Sequence, residues 1–136
     1  MCIRDRAHII QNFTESPINV WCDYHADTNN KDPNTEFQEF ITKYCWGEIW
    51  TKTILSNKQR SMNNLCMLSA LNKWQEFSIH FRGAIKNGCT LLELKDVLLQ
   101  ITVYCGVPCG VEAFRHARKV LEEDGIDIEK EFSKND

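Results

Sequence analysis

The sequence predicts an all-α fold of about five or six helices joined by short loops, and three observations carry that reading. Apolar residues recur at three- and four-residue spacing along most of the chain beyond residue 35. Two boxes of the form Thr-x-x-Glu/Gln, Thr35 with Gln38 and Thr90 with Glu93, mark helix starts. Gly88, Gly106 and Gly125 fall where helices should stop. The one stretch that could alternate as a strand, Ile101-Thr102-Val103-Tyr104, lies inside the helix that the Thr90 cap begins.

Met1-Cys2-Ile3-Arg4-Asp5-Arg6 reads like the translation of a sequencing adapter, so residues 1–6 are expected to be a cloning or assembly scar. Residues 7–35 hold Pro17, Pro33 and the Asn29-Asn30 pair without a stable period. They form an extended lead-in, with at most one short helix over 17–25. Behind the Thr35 box, Phe37, Phe40, Ile41, Tyr44 and Cys45 give a helix to about Trp50. Ser56 is the next N-cap candidate. Met62, Leu65, Cys66, Leu68, Ser69 and Leu71 follow as a nearly all-round apolar helix, which predicts burial. A helix over 74–87 carries Phe77, Phe81, Ala84 and Ile85 on one face, with Gly88 just past its end. The clearest helix holds Leu94, Val97, Leu98, Ile101 and Cys105. Gly106-Val107-Pro108 breaks it, and Pro108 sits in the first turn of a helix with Val111, Phe114, Ala117, Val120 and Leu121. Glu129–Asp136 is a polar tail that frays or adds a half-turn.

Composition narrows the function classes. The 136 residues support one compact domain, expected over 36–128. Sixteen Lys+Arg against nineteen Asp+Glu give a net charge of −3, without the basic excess that nucleic-acid or anionic-membrane partners require. Mean hydropathy is −0.41 and no run approaches a membrane span, so a soluble protein is expected. The seven cysteines are odd in number and follow no disulfide-scaffold spacing. Reduced thiols in the cytoplasm fit them best.

Glu76 and His80, four residues apart, share one helix face and can share a hydrogen bond. An imidazole held by a carboxylate is a general acid or base near neutral pH, although such pairs also occur on solvated faces. No second pair accompanies them, so neither a metal site nor a metal cofactor is expected. In Tyr104-Cys105-Gly106-Val107-Pro108-Cys109 three residues separate the thiols, which is not the redox spacing, and Cys105 reads as a core residue. Trp46-Gly47-Glu48-Ile49-Trp50 sets two tryptophans four apart around a glycine and an acid, as aromatic core or as a pocket wall. Arg60, Arg82 and Arg115 are candidate carboxylate clamps.

Phe37-Gln38-Glu39-Phe40, Trp46 to Trp50, Arg60-Ser61, Glu76 with His80, Arg82-Gly83-Ala84, Asn87-Gly88, Val97 to Gln100 and Tyr104 to Pro108, in that order, resemble the carboxymuconolactone decarboxylase family over about 36–123. The resemblance implies an alkylhydroperoxidase D-like helical subunit in a homo-oligomer, trimer or hexamer. It implies a cofactor-independent decarboxylase converting γ-carboxymuconolactone to β-ketoadipate enol-lactone in aromatic catabolism. His80 would be the proton donor or oxyanion partner and Glu76 would orient it. Arg60 or Arg82 would bind substrate carboxylate, and Trp46, Glu48, Trp50 and Tyr104 would line the pocket. The same superfamily holds thiol peroxidases with a Cys-x-x-Cys pair before the histidine, but Lys73 and Glu76 occupy those positions here. A non-catalytic helical oligomer that binds a metabolite is the remaining alternative. After Trp50 the family often reads Arg-Pro-Gly-Leu, whereas this chain has Lys52-Thr53-Ile54-Leu55, which puts the substrate in question more than the family.

Overall fold

The computed structural model describes residues 34–133, and the expected short helix over 17–25 lies outside them. Among the described residues there are six α-helices, one π-helical stretch and no strand, as the periodicity predicts. The chain divides into two compact units, 1–57 and 58–136.

In the first unit α1 (Asn34–Ile41) runs directly into a π-helix (Thr42–Ile49). Trp50 N–H closes the last wide turn on the Cys45 carbonyl at 3.1 Å. Gly47 suits this winding, because a Cβ there would sit 3.2 Å from the Thr42 carbonyl oxygen. The predicted single α-helix to Trp50 therefore has the right extent but a wider second half. Hydrophobic spacing does not separate a 3.6-residue turn from a 4.4-residue one over two turns. The Thr35 and Gln38 side chains of the expected capping box are outside the described set.

The second unit holds the core. α2 (Asn57–Ala70) buries only Ser61, Leu65 and Ser69, a line of i, i+4 positions. Met67 is 54% exposed, and Leu71 just beyond the helix is 66% exposed. The burial predicted for this helix is thus incomplete: one stripe faces inward, Met62, Cys66 and Leu68 are half-buried against the core, and Met67 and Leu71 face out. α3 (Trp74–Lys86) buries Phe77, Phe81, Gly83 and Ala84, and the rings of Phe77 and Phe81 lie 5.9 Å apart. Gly88 beyond its end has φ of +89°, a conformation costly for residues with a Cβ.

α4 (Leu91–Cys105) begins with the predicted capping box. Glu93 N–H donates to Thr90 Oγ1 at 3.2 Å, and Thr90 N–H donates to Glu93 Oε2 at 2.9 Å. Lys58 Nζ lies 2.7 Å from Glu93 Oε1, and this bond, followed by the Thr90 amide, holds the Glu93 carboxyl below its ordinary range. Leu94, Leu98 and Ile101 enter the core. Cys105, expected there too, is exposed. It shares the face of Leu98 and Ile101, but α4 ends at it and the core ends one turn earlier.

α5 (Val107–Glu123) starts after Gly106 (φ +96°) with Pro108 in its first turn, and packs against both α3 and α4. It buries Gly110, Ala113, Ala117, Val120 and Leu121, whereas Val111 and Phe114, predicted on this face, are 59% and 39% exposed. Gly110 sets the closest approach, since a Cβ there would fall 2.0 Å from Thr102 Oγ1 of α4. At the far end of α5, Arg82 of α3 bonds Asp124 Oδ1 at 3.0 Å and also binds Glu123. Gly125 (φ +67°) leads into α6 (Ile128–Ser133), more helix than the half-turn or fraying expected of the tail.

Candidate active site

His80 sits in the middle of α3, where Phe77, Phe81 and Ala84 fix the helix by their burial. Its ring is half-buried and meets α2. There Asn64 Nδ2 lies 3.4 Å from His80 Nδ1. With the amide as donor, Nδ1 is the acceptor and the neutral ring carries its proton on Nε2. Burial pushes the His80 pKa below its ordinary value, and the Glu76 carboxylate one turn earlier opposes that shift without cancelling it. Burial thus favours the neutral form of the imidazole.

The register of α2 against α3 is fixed beside this pair. Asn87 Nδ2 donates to the buried Ser61 Oγ at 2.9 Å, and Leu65 is fully buried. Arg60 stands four residues before Asn64, hence one turn along the same face of α2, and is half-buried with its Nε shielded from solvent. Asn64 is the residue that sequence reading misses. An asparagine sixteen positions from the histidine, on another helix, leaves no periodic trace.

The other predicted site residues fall elsewhere. Arg82 is held by the two carboxylates at the end of α5, which raise its pKa against the effect of its own desolvation. Tyr104 is 82% exposed in the last turn of α4. Arg115 pairs with Glu112 on α5. Trp46 and Trp50 belong to the first unit, with rings 5.4 Å apart and tilted by 38°, and Glu48 between them is exposed. Among the described residues no group of three or more His, Cys, Asp or Glu side chains is arranged to hold a metal ion.

A second histidine has a different setting. His116 of α5 stacks on Trp74 at 5.5 Å with an 11° interplanar angle. Its Nδ1 is 3.2 Å from Ser78 Oγ, and its Nε2 is 3.9 Å from Glu112 Oε2. The order Ser, His, Glu resembles a nucleophile triad, but the Ser78 hydroxyl donates its proton to the Trp74 carbonyl at 3.1 Å. Ser78 thus accepts from His116 and is not activated by it. A groove of about 510 Å³ lies along α4, α5 and α6, lined by Leu94, Leu98, Phe114 and Leu121 with Lys95 and Arg118 at its edge. His80 is not among its lining residues.

The pattern of the carboxymuconolactone decarboxylase family matches residues 35–123. A 4-carboxymuconolactone decarboxylase of Acinetobacter baylyi is 36% identical over 102 residues, 75% of this chain and 76% of that protein. The nitrosuccinic acid decarboxylase npaB of Metarhizium robertsii is 40% identical over 86 residues, 63% of this chain and 60% of that protein. The match covers α1 through α5, and so includes Arg60, Asn64, Glu76 and His80. With that extent of match, the chain belongs to the carboxymuconolactone decarboxylase family.

Proposed function

We propose that this family member, a carboxy-lyase as both relatives are, releases CO2 from a small acid that carries its own electron sink, and that it does so without a cofactor. The two relatives' names describe acids of that kind. A carboxymuconolactone contains a lactone carbonyl, and nitrosuccinic acid has a carboxylate on the carbon that bears the nitro group. When CO2 leaves, the electron pair passes to an oxygen of that acceptor. The protein must then orient the acid, stabilise the new oxyanion and allow a proton to reach carbon.

The contact of His80 Nδ1 with Asn64, on a ring that burial pushes towards its neutral form, carries this reading. Its Nε2–H donates to the oxyanion as charge accumulates, in surroundings where such a bond is stronger than in water. Glu76 sits close enough for its charge to favour a protonated ring, so the imidazole can also hold a proton in transit. Arg60, one helical turn from Asn64, binds the carboxylate that stays on the substrate. Arg82 keeps its two acidic neighbours and braces α3 on α5. Trp46, Glu48, Trp50 and Tyr104 are carried forward as substrate-contact candidates for substitution. γ-Carboxymuconolactone, giving β-ketoadipate enol-lactone in aromatic catabolism, is the first substrate to test.

The assembly is a homo-oligomer, trimer or hexamer. Leu92, Leu99 and Val103 lie opposite the core side of α4 and are 42%, 47% and 77% exposed, with Val107 and Val111 exposed on α5. A row of this kind on so small a chain calls for a partner surface. The working compartment is the cytoplasm, consistent with the five described cysteines being free thiols. Among the described residues no helix is long and apolar enough to cross a membrane.

Chelator-dialysed protein incubated with γ-carboxymuconolactone, and separately with nitrosuccinate, tests the activity by CO2 release. Turnover of either acid supports the reading; a folded protein that releases CO2 from neither contradicts it. Light scattering should give three or six times the 15.9 kDa chain mass, and a monomer contradicts the assembly.

A further inference from the structure

The groove along α4, α5 and α6 has Leu91, Leu94 and Leu98 on its α4 wall and Phe114 and Leu121 on its α5 wall, with the buried Phe81 ring also lining it. Its volume of about 510 Å³ falls within the roughly 300–1,000 Å³ of small-molecule sites. Its charged lining is wholly cationic: Lys95, Arg115 and Arg118, with no Asp or Glu. Arg115 is engaged by Glu112, whereas Arg118 has no carboxylate partner among the described residues. On a chain of net charge −3, an apolar groove with such an edge selects an anion that carries an apolar body.

Helix register sets the size of that body. Thr102 and Gly110 mark the close approach of α4 and α5. Lys95 lies about two turns back from Thr102 and Arg118 about two turns on from Gly110, so these cations stand at nearly the same height on opposite walls. Leu91 to Leu98 spans about 10 Å of helix. An extended chain gains about 1.2 Å per bond, so eight or so bonds run the length of the wall. The flexible stems of Lys95 and Arg118 cover the distance to a head group at the rim. On α4 the groove residues lie about 100–160° round the helix from the exposed row of Leu92, Leu99 and Val103. On α5, Arg118 and Leu121 lie about two to three turns beyond Val111.

We infer that this groove is a binding site for a straight-chain monocarboxylic acid of about eight to ten carbons, separate from the Asn64–His80 pair. Its hydrocarbon chain lies against Leu94, Leu98 and Phe114, and its carboxylate accepts from Arg118 and Lys95. A small polar acid gains nothing from the apolar walls. A neutral alcohol of the same length leaves the cations without a counter-charge, and a cationic amphiphile meets like charge. The lining holds no Ser, Cys, His, Asp or Glu, so the groove binds the acid and does not transform it.

Titrating decanoate into the full-length protein, in whatever assembly it forms and with its leucine methyls labelled for NMR, tests this directly. The expected result is saturable shifts of the Leu94, Leu98 and Leu121 methyls, with one decanoate bound per chain by calorimetry. Arg118→Gln should weaken decanoate binding by about 10–100-fold, as when a charged hydrogen bond is lost, and Lys95→Gln should act in the same direction. Both side chains are exposed, so neither change threatens the fold. Decanol and decyltrimethylammonium should bind about tenfold more weakly than decanoate, or worse. His80→Ala should bind decanoate as the parent does, which separates the groove from carboxylate binding beside Arg60. No saturable shift at the groove methyls, shifts confined to Leu92 and Leu99, equal binding of the three amphiphiles, full affinity in Arg118→Gln, or loss of binding in His80→Ala overturns the inference. None of these readouts depends on decarboxylase activity.

Discussion

The two histidines of the described chain, His80 and His116, stand on neighbouring helices in opposite chemical settings. His116 is stacked on Trp74 and bonded to a serine whose own proton is committed to a backbone carbonyl. Each of those contacts fastens α5 to α3 and leaves no activated group. His80 has an amide partner on Nδ1, a carboxylate one turn away and a depressed pKa. The difference teaches that a histidine's partners, together with its burial, decide whether it braces a fold or is prepared for chemistry.

Exchanging the fates of the two rings is the strongest test of that contrast. His80→Ala should lower kcat/KM by about 10²–10⁴-fold, the range for a positioned acid–base or oxyanion group, with helicity and assembly unchanged. His116→Ala should leave turnover within a few-fold, and should lower stability by about 1–2 kcal/mol through the lost stack and hydrogen bond, read by denaturant titration. The reverse pattern would break the comparison.

The same division separates the two arginines. Arg60→Ala should raise KM about 10–100-fold with a smaller change in kcat, as expected when a charged hydrogen bond to substrate is removed. Arg82→Ala should leave KM in place. Its ion pairs are partly exposed, so the stability loss stays within about 1 kcal/mol. At the helix crossing away from the site, Gly110→Ala should destabilise by about 1–3 kcal/mol, because the added methyl would fall on Thr102. Residual activity per folded molecule should remain that of the parent.

The smallest effect sharpens the assignment of Asn64. Asn64→Asp gives Nδ1 an acceptor in place of a donor, which favours protonation of His80 and should raise its pKa in an NMR titration. In the unsubstituted protein the folded-state pKa lies below the unfolded value of about 6.5, so the unfolded chain binds more protons between the two. The contribution of the neutral ring to stability is full above pH 6.5 or so, and is lost as pH falls through the folded pKa.

What was legible in the sequence was local. Thr90 and Glu93 form their capping box within one turn, Gly88, Gly106 and Gly125 adopt the backbone that favours glycine, and the helices lie where their periods put them. Facing was read less well. Met67 and Leu71 point outward although hydrophobic, Val111 and Phe114 are displaced from the buried face of α5, and Cys105 lies past the end of the core. Periodicity says that an apolar stripe exists, but not whether a second stripe is covered by another element. The Glu76–His80 pair was visible because it is intrahelical, whereas Asn64 was not because helix packing brings it there.

The central claim is that His80 acts as a neutral imidazole, and the pH dependence of kcat/KM on a decarboxylated substrate tests it most directly. Activity should be high at neutral pH and fall on the acid side with an apparent pKa below 6.5, where Nδ1 gains a proton and can no longer accept from Asn64; that limb should be missing from the residual activity of His80→Gln. An acid limb centred above 6.5, or one that persists unchanged in His80→Gln, would contradict the account.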